Sequence, residues 1–190
     1  MKKIAIFASG SGSNFEALIN ACESKEINAE VVLMVCDKKN AYVIERAKNH
    51  NVDTFVFSEK NYESKAAYET EIVSKLNEYN VDLVCLAGYM KLCGEVLLSS
   101  YEGKIINIHP ALLPSFKGAH GILDAYNYGV KVFGVTVHYV DSGMDSGKII
   151  DQMSFHVEDN DDLDSIETKI HAIEHVLYPS VVKKLCEEKL

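Results

Sequence analysis

Short apolar runs punctuate the first part of the chain, at Ile4–Ala8, Val31–Cys36, Thr54–Phe57, Leu83–Ala87 and Ile105–Ile108. Each is too short for a buried helix and is flanked by glycine, aspartate, asparagine or serine, so each reads as a strand. Between them the polar and apolar positions take helical spacing over Phe15–Cys22, Ala41–Asn49, Lys65–Tyr79 and Glu95–Ser100. Strand and helix in strict alternation predict crossover units. The expected fold class is therefore α/β, with a doubly wound, mostly parallel sheet covered on both faces.

After Pro114 the pattern changes. Ile122–Tyr128 reads as a short helix, and Val132–Val140 and Ile149–Val157 as longer strands separated by the glycine-rich loop Asp141–Lys148. The last helix is expected from about Asp164 to Lys189. Its apolar positions Ile166, Ile170, Ile173, Leu177, Val181 and Leu185 recur at three- and four-residue steps, giving one buried face with a kink at Pro179. The acidic run Glu158–Asp162 reads as a solvated loop before it. No repeat, low-complexity stretch or linker interrupts the 190 residues, which read as one domain.

The net charge of −9 argues against a nucleic acid as the main partner. One arginine, Arg46, stands against 18 lysines, so a phosphate would be held by backbone amides, hydroxyls and lysine. Five cysteines in no CxxC pair read as reduced, buried thiols of a cytoplasmic protein. The basic start Met1-Lys2-Lys3 leads into an apolar run that ends at Ala8, too short for a secretory leader. No run approaches the ~20 apolar residues needed to span a membrane.

Three groups of residues carry chemistry. Gly10-Ser11-Gly12-Ser13-Asn14 joins the first strand to the first helix, where free amides and the helix dipole favour an anion. It is neither a dinucleotide fingerprint, since Phe15 stands where the third glycine belongs, nor a Walker A loop. A glycine turn with serine caps and no ligand is the plainer reading. Asn107 and His109 flank Ile108 at the end of a central strand, so both project from one face. An amide there can donate to a developing oxyanion and an imidazole can move a proton; equally, both can cap the backbone. Asp145 lies in a glycine-rich loop, and near His109 it would orient the ring and favour the imidazolium. A zinc site from His109, His138 and Asp145 is conceivable, but the spacing is not diagnostic. His50 and His156 read as surface or loop residues. The loops Gly88–Gly94 and His109–Gly118 are apolar where exposure is expected. Leu112 and Leu113 pack under the sheet or line a pocket, and two such loops suit a flat heteroaromatic ligand.

The turn Gly10–Asn14, LAGYMKL from Leu86, NIHPALLPSFKG from Asn107, GVTVHYVDSGMDSG from Gly134 and EHVLYP from Glu174 together resemble the phosphoribosylglycinamide formyltransferases of purine biosynthesis. The likeness runs in order from end to end. Related enzymes that formylate methionyl-tRNA or hydrolyse formyl folate share the Asn–His–Asp part and carry a further domain for which this length leaves no room. A formyl-folate hydrolase and a catalytically silent folate- or nucleotide-binding protein are the competing functions. The resemblance implies the formyltransferase fold, with a Rossmann-like phosphate-binding half (1–100) and a catalytic, folate-binding half (101–190). It implies formyl transfer from 10-formyltetrahydrofolate to the amine of 5'-phosphoribosylglycinamide, without a metal, by a monomer or homodimer. It assigns catalysis to Asn107, His109 and Asp145, and the ribonucleotide to Gly12, Ser13, Asn14, Pro110 and Glu174. The folate falls to Lys65, Met90, Lys91, Leu92, Cys93, Asn107, Val140 and Asp141. Lys65 and Lys91 stand where arginine is common, keeping the charge but losing the planar fork. Ser146 and Lys148 replace a usual glycine and proline beside Asp145.

Overall fold

A computed structural model describes residues 1–188. Seven strands form one sheet: β1 (Lys2–Ala8), β2 (Ala29–Cys36), β3 (Thr54–Val56), β4 (Leu83–Leu86), β5 (Ile105–His109), β6 (Val132–Tyr139) and β7 (Ile149–His156). Six α-helices accompany them: α1 (Ser13–Glu23), α2 (Val43–Asn49), α3 (Lys65–Glu78), α4 (Glu95–Ser100), α5 (Gly121–Tyr128) and α6 (Leu163–Glu187). The order across the sheet is β3-β2-β1-β4-β5-β6-β7. β1 to β5 are parallel; β6 runs against β5, and β7 against β6. The doubly wound, mostly parallel sheet read from the strand–helix alternation is the observed architecture.

Burial follows the two-residue period of the strands. In β1, Ile4, Ile6 and Ala8 enter the core under α1 and α6, with Phe15, Leu18, Ile170 and Tyr178. Ala5 and Phe7 enter the opposite layer with Tyr68, Ile72 and Leu76 of α3 and Leu97 of α4. A strand wholly inside, like β4, has to be apolar on both faces, which is why it reads as a continuous run. Each fully buried side chain of this size contributes about 1.5–3 kcal/mol. β7 lies at the edge and has only exposed and half-buried positions.

The predicted boundaries shift by a few residues at most. The helix expected from Ala41 begins at Val43, and a short 3-10 turn at Glu59–Asn61 was not anticipated. In α6 the expected stripe is buried except for half-buried Ile173, and Tyr178 and Val182 widen it. The helix is unbroken at Pro179, which is itself buried. Its expected end, Lys189, lies outside the described residues. Asp162, read as part of a solvated loop, caps α6: its carboxylate accepts from Ser165 N (2.8 Å) while Ser165 Oγ accepts from Asp162 N (3.0 Å). Among the described residues no helix is long and apolar enough to cross a membrane.

Candidate active site

The chain winds outward from β1 to β3, then returns to place β4 on the other side of β1. Loops leaving neighbouring strand ends diverge at such a reversal and leave a crevice. Here the loops after β1, β4 and β5 enclose a cavity of about 360 Å³. Its walls include Gly12, Ser13, Asn14, Met90, Asn107, His109, Pro110, Asp145 and Glu174. A smaller cavity of about 70 Å³ adjoins it, bounded by Cys93, His138, Val140 and Asp141 among others. Tyr89, Lys91, Leu92, Asn107 and Asp145 belong to both walls. Of the site residues read from the sequence, only Lys65 lies outside both walls, exposed on the first turn of α3.

At one end of the large cavity the glycine turn opens α1. Gly12 caps the helix at φ +77°, a left-handed conformation natural to glycine. A Cβ there would lie 2.5 Å from Val43 Cγ2. The amides of Ser13 and Asn14 precede the first intrahelical bond, from Glu16 N to Gly12 O (2.9 Å), and are free for a ligand. The Asn14 side chain is already engaged: its Nδ2 donates to Glu174 Oε2 (3.2 Å), which also meets His171 Nδ1 (3.0 Å). The hydrogen bond to Glu174 raises the His171 pKa against partial burial. His171 lines the same cavity and was missed in the sequence, where nothing separates it from an ordinary helix histidine.

At the other end β5 delivers Asn107 and His109 side by side. The His109 ring is buried, and its Nε2 lies 2.8 Å from the Phe116 carbonyl, which can only accept. Nε2 therefore carries a proton, and Nδ1 faces Asp145 Oδ2 at 3.5 Å. Asp145 sits at φ +50° and accepts from Gly118 N (2.8 Å), so the loop after β5 fixes its carboxylate. Gly121 leaves room for this arrangement, since a Cβ would lie 2.9 Å from the Phe116 oxygen and 3.2 Å from His109 Nε2.

His138 completes the group. Its Nδ1 donates to the Tyr139 carbonyl (2.8 Å), leaving Nε2 to accept from Asn107 Nδ2 at 3.2 Å. Burial pushes the His138 pKa down, so the ring stays neutral and keeps that lone pair. Among the described residues His138 is the only partner of Asn107 Nδ2, which leaves its second N–H free. Thr136, opposite His109, ties down the loop: its Oγ1 donates to Ala111 O (2.7 Å) and accepts from Leu113 N (3.1 Å). Leu113 is buried and Leu112 packs against Gly134, so neither lines the cavity. Among the described residues no group of three His, Cys, Asp or Glu is arranged to hold a metal ion.

The formyl transferase family matches residues 2–182. The chain belongs to that family. A phosphoribosylglycinamide formyltransferase of Bacillus subtilis (strain 168) is 51% identical over 185 residues, covering 97% of this chain and 95% of its own. The crystal structure of glycinamide ribonucleotide transformylase 1 from Geobacillus kaustophilus superposes with a TM-score of 0.95 at 51% identity, covering 98% of this chain and 99% of that one. A trifunctional purine biosynthetic protein, adenosine-3, of Drosophila melanogaster is 37% identical over 186 residues; these cover 97% of this chain but 14% of that longer protein.

In this formyl transferase the loop after β4 is held from below. Ser9 Oγ donates to Asp37 Oδ1 (2.5 Å) and accepts from Met90 N (2.9 Å). Lys91 reaches Glu59 Oε2 (2.5 Å) and Asp37 Oδ2 (4.0 Å), which fixes its ammonium beside both cavities. Buried Glu69 caps α4 by accepting from Gly94 N (2.6 Å) and Leu97 N (3.2 Å), closing the loop that carries Leu92 and Cys93. Burial raises the Cys93 thiol to about 12, so it acts as an apolar wall rather than a nucleophile.

Proposed function

We infer that the protein is a phosphoribosylglycinamide formyltransferase, moving the formyl group of 10-formyltetrahydrofolate to the amine of 5'-phosphoribosylglycinamide in purine biosynthesis. One observation carries the reading. Asn107 and Asp145 stand in the wall common to two adjoining cavities, and the larger cavity ends at a helix N-terminus built for an anion. A phosphate bound there through the Gly12, Ser13 and Asn14 amides would direct the amine of its ribonucleotide toward His109. Glu174 then faces the ribose and Pro110 the glycinamide. The folate lies along Met90, Lys91 and Leu92 and reaches Cys93, Val140 and Asp141. Residues 1–100 thus hold the phosphate, and 101–190 supply catalysis and most of the remaining contacts.

The mechanism follows from the geometry. The amine lone pair attacks the formyl carbon, and the carbonyl electrons move to oxygen. The free Asn107 N–H donates to that oxyanion. His109 Nδ1 takes a proton from the attacking amine, and Asp145 stabilises the positive ring. Collapse of the intermediate breaks the bond to the folate nitrogen, which receives the proton. No segment of this chain has to enter a membrane for this chemistry, and we place the enzyme in the cytoplasm.

The test is product formation from the ribonucleotide and 10-formyltetrahydrofolate, with folate hydrolysis measured when the amine is omitted. Formylated product and slow hydrolysis without amine are expected. Fast amine-independent hydrolysis would make the protein a hydrolase, and neither reaction would make it a binding protein.

A further inference from the structure

We propose that Arg46 is a positioning residue for the ribonucleotide phosphate, acting by aiming the amides of the glycine turn. The proposal rests on the phosphate assignment above. Arg46 is the only arginine in the chain and lies on α2, outside the walls of the cavity. Its Nε donates to the Ser11 carbonyl at 2.8 Å. One turn earlier, Val43 N donates to the Gly10 carbonyl at 3.1 Å. Two successive carbonyls of the turn are thus drawn toward α2. In a planar trans peptide the N–H of the next residue points the opposite way. Fixing the Gly10 and Ser11 carbonyls on α2 therefore turns the Ser11 and Gly12 amides away from it. Val43 also occupies the space where a Gly12 Cβ would stand, so the turn is seated directly on this helix.

The guanidinium has a second task. Glu16 lies in the first turn of α1, where its charge would compete with a bound phosphate for the helix N-terminus. Arg46 Nη1 meets Glu16 Oε2 at 3.2 Å, and His50 Nε2 meets Glu16 Oε1 at 3.1 Å. His50 Nδ1 is held in turn by Glu23 Oε1 at 2.9 Å, so His50 is part of a network rather than a plain surface residue. The arginine also lies over the Tyr42 ring, 5.0 Å from its centre, which limits its rotation. Only a planar fork serves the carbonyl through Nε and the carboxylate through Nη1 together; a lysine ammonium reaches one of them.

The experiment compares wild type, Arg46→Met and Arg46→Lys, each with the ribonucleotide and with its dephosphorylated riboside. For Arg46→Met the ribonucleotide KM should rise roughly tenfold, the scale of one lost charge-assisted hydrogen bond. Its kcat, its KM for formyl folate and its kinetics on the riboside should match wild type. Arg46→Lys should keep most of the KM defect, and it carries the comparison alone if Arg46→Met does not fold. Full recovery in Arg46→Lys would overturn the proposal, because charge rather than the fork would then suffice. Equal damage on ribonucleotide and riboside would overturn it too. A wild type that does not distinguish the two substrates would remove the phosphate from the turn and this proposal with it. A wild type that distinguishes them, with Arg46→Met distinguishing them equally well, would refute Arg46 alone.

Discussion

His138 should act on the reaction only through Asn107, and a double-mutant cycle exposes that dependence. The perturbation is His138→Ala, which removes the Nε2 acceptor 3.2 Å from Asn107 Nδ2. A single neutral hydrogen bond contributes about 0.5–1.5 kcal/mol. Lost from an amide that must point at the oxyanion, that is roughly a two- to tenfold drop in the chemical step. Asn107→Ala deletes the oxyanion donor itself and should cost roughly 10²–10³. In single-turnover assays His138→Ala should then have almost no effect in the Asn107→Ala background. His138→Gln, which restores an acceptor, should recover most of the loss and controls for the cavity left by a buried ring. The pH dependence has a fixed sign. Burial depresses the His138 pKa, so the ring charges only below the ordinary histidine range; there Nε2 becomes a donor and confronts the Asn107 amide. The part of the acid limb in kcat that comes from His138 should be present in wild type and absent from His138→Gln. Equal losses from His138→Ala in both backgrounds would refute the argument, since His138 would then act independently of Asn107.

Gly12→Val forces a branched side chain into a left-handed position 2.5 Å from Val43, so the ribonucleotide KM should rise steeply while the folate KM holds; equal damage to both would indicate misfolding instead. His109→Ala should lower kcat by roughly 10²–10⁴. Asp145→Asn should lower it less, and the double variant should be little worse than His109→Ala because the pair works as a unit; additive losses would break that pairing. The Glu174 hydrogen bond raises the His171 pKa, so its charge beside the phosphate end persists through the ordinary histidine range and is lost as pH rises through the raised value. The ribonucleotide KM should climb above that pH, and His171→Gln should flatten the profile; an unchanged profile would show that His171 does not sense the substrate.

The strands were legible because burial on both faces demands apolar runs, unbroken from Ile4 to Ala8 in β1 and throughout β4. Gly12 and Asn107 were legible for a similar reason: a turn at φ +77° and a polar residue ending an apolar strand both break local rules. What stayed hidden depends on contacts distant in sequence. Asn14 looks like a ligand through its side chain until Glu174, 160 positions on, claims the side-chain amide and leaves the backbone N–H for an anion. His50 reads as a surface or loop residue until α1 packs alongside and presents Glu16 to it and to Arg46. Lys65 was expected near the folate but stands outside both cavity walls, on an exposed turn of α3. The Asp162–Ser165 cap was visible in principle as an aspartate three residues before a serine at the start of a periodic stretch.

The antiparallel turn of the sheet at β5 explains why the Asn107–His109–Asp145 group forms where it does. A parallel neighbour would reach β5 through a crossover helix. β6 instead runs back against β5, in a register that sets His138 opposite Asn107 and Thr136 opposite His109. Cross-strand partners on one face lie close enough for side chains to interact directly. One partner therefore holds the Asn107 amide, and the other ties down the loop that receives the His109 ring. The same reversal sends the chain from β6 into the Asp141–Lys148 loop, which returns Asp145 to within 3.5 Å of His109 and 3.7 Å of His138. A one-residue slip between β5 and β6 would turn His138 to the opposite face and leave Asn107 unsupported. The buried packing of β6, with Val135 and Val137 in the core, thus sets the geometry of the proposed site as well as the stability of the sheet.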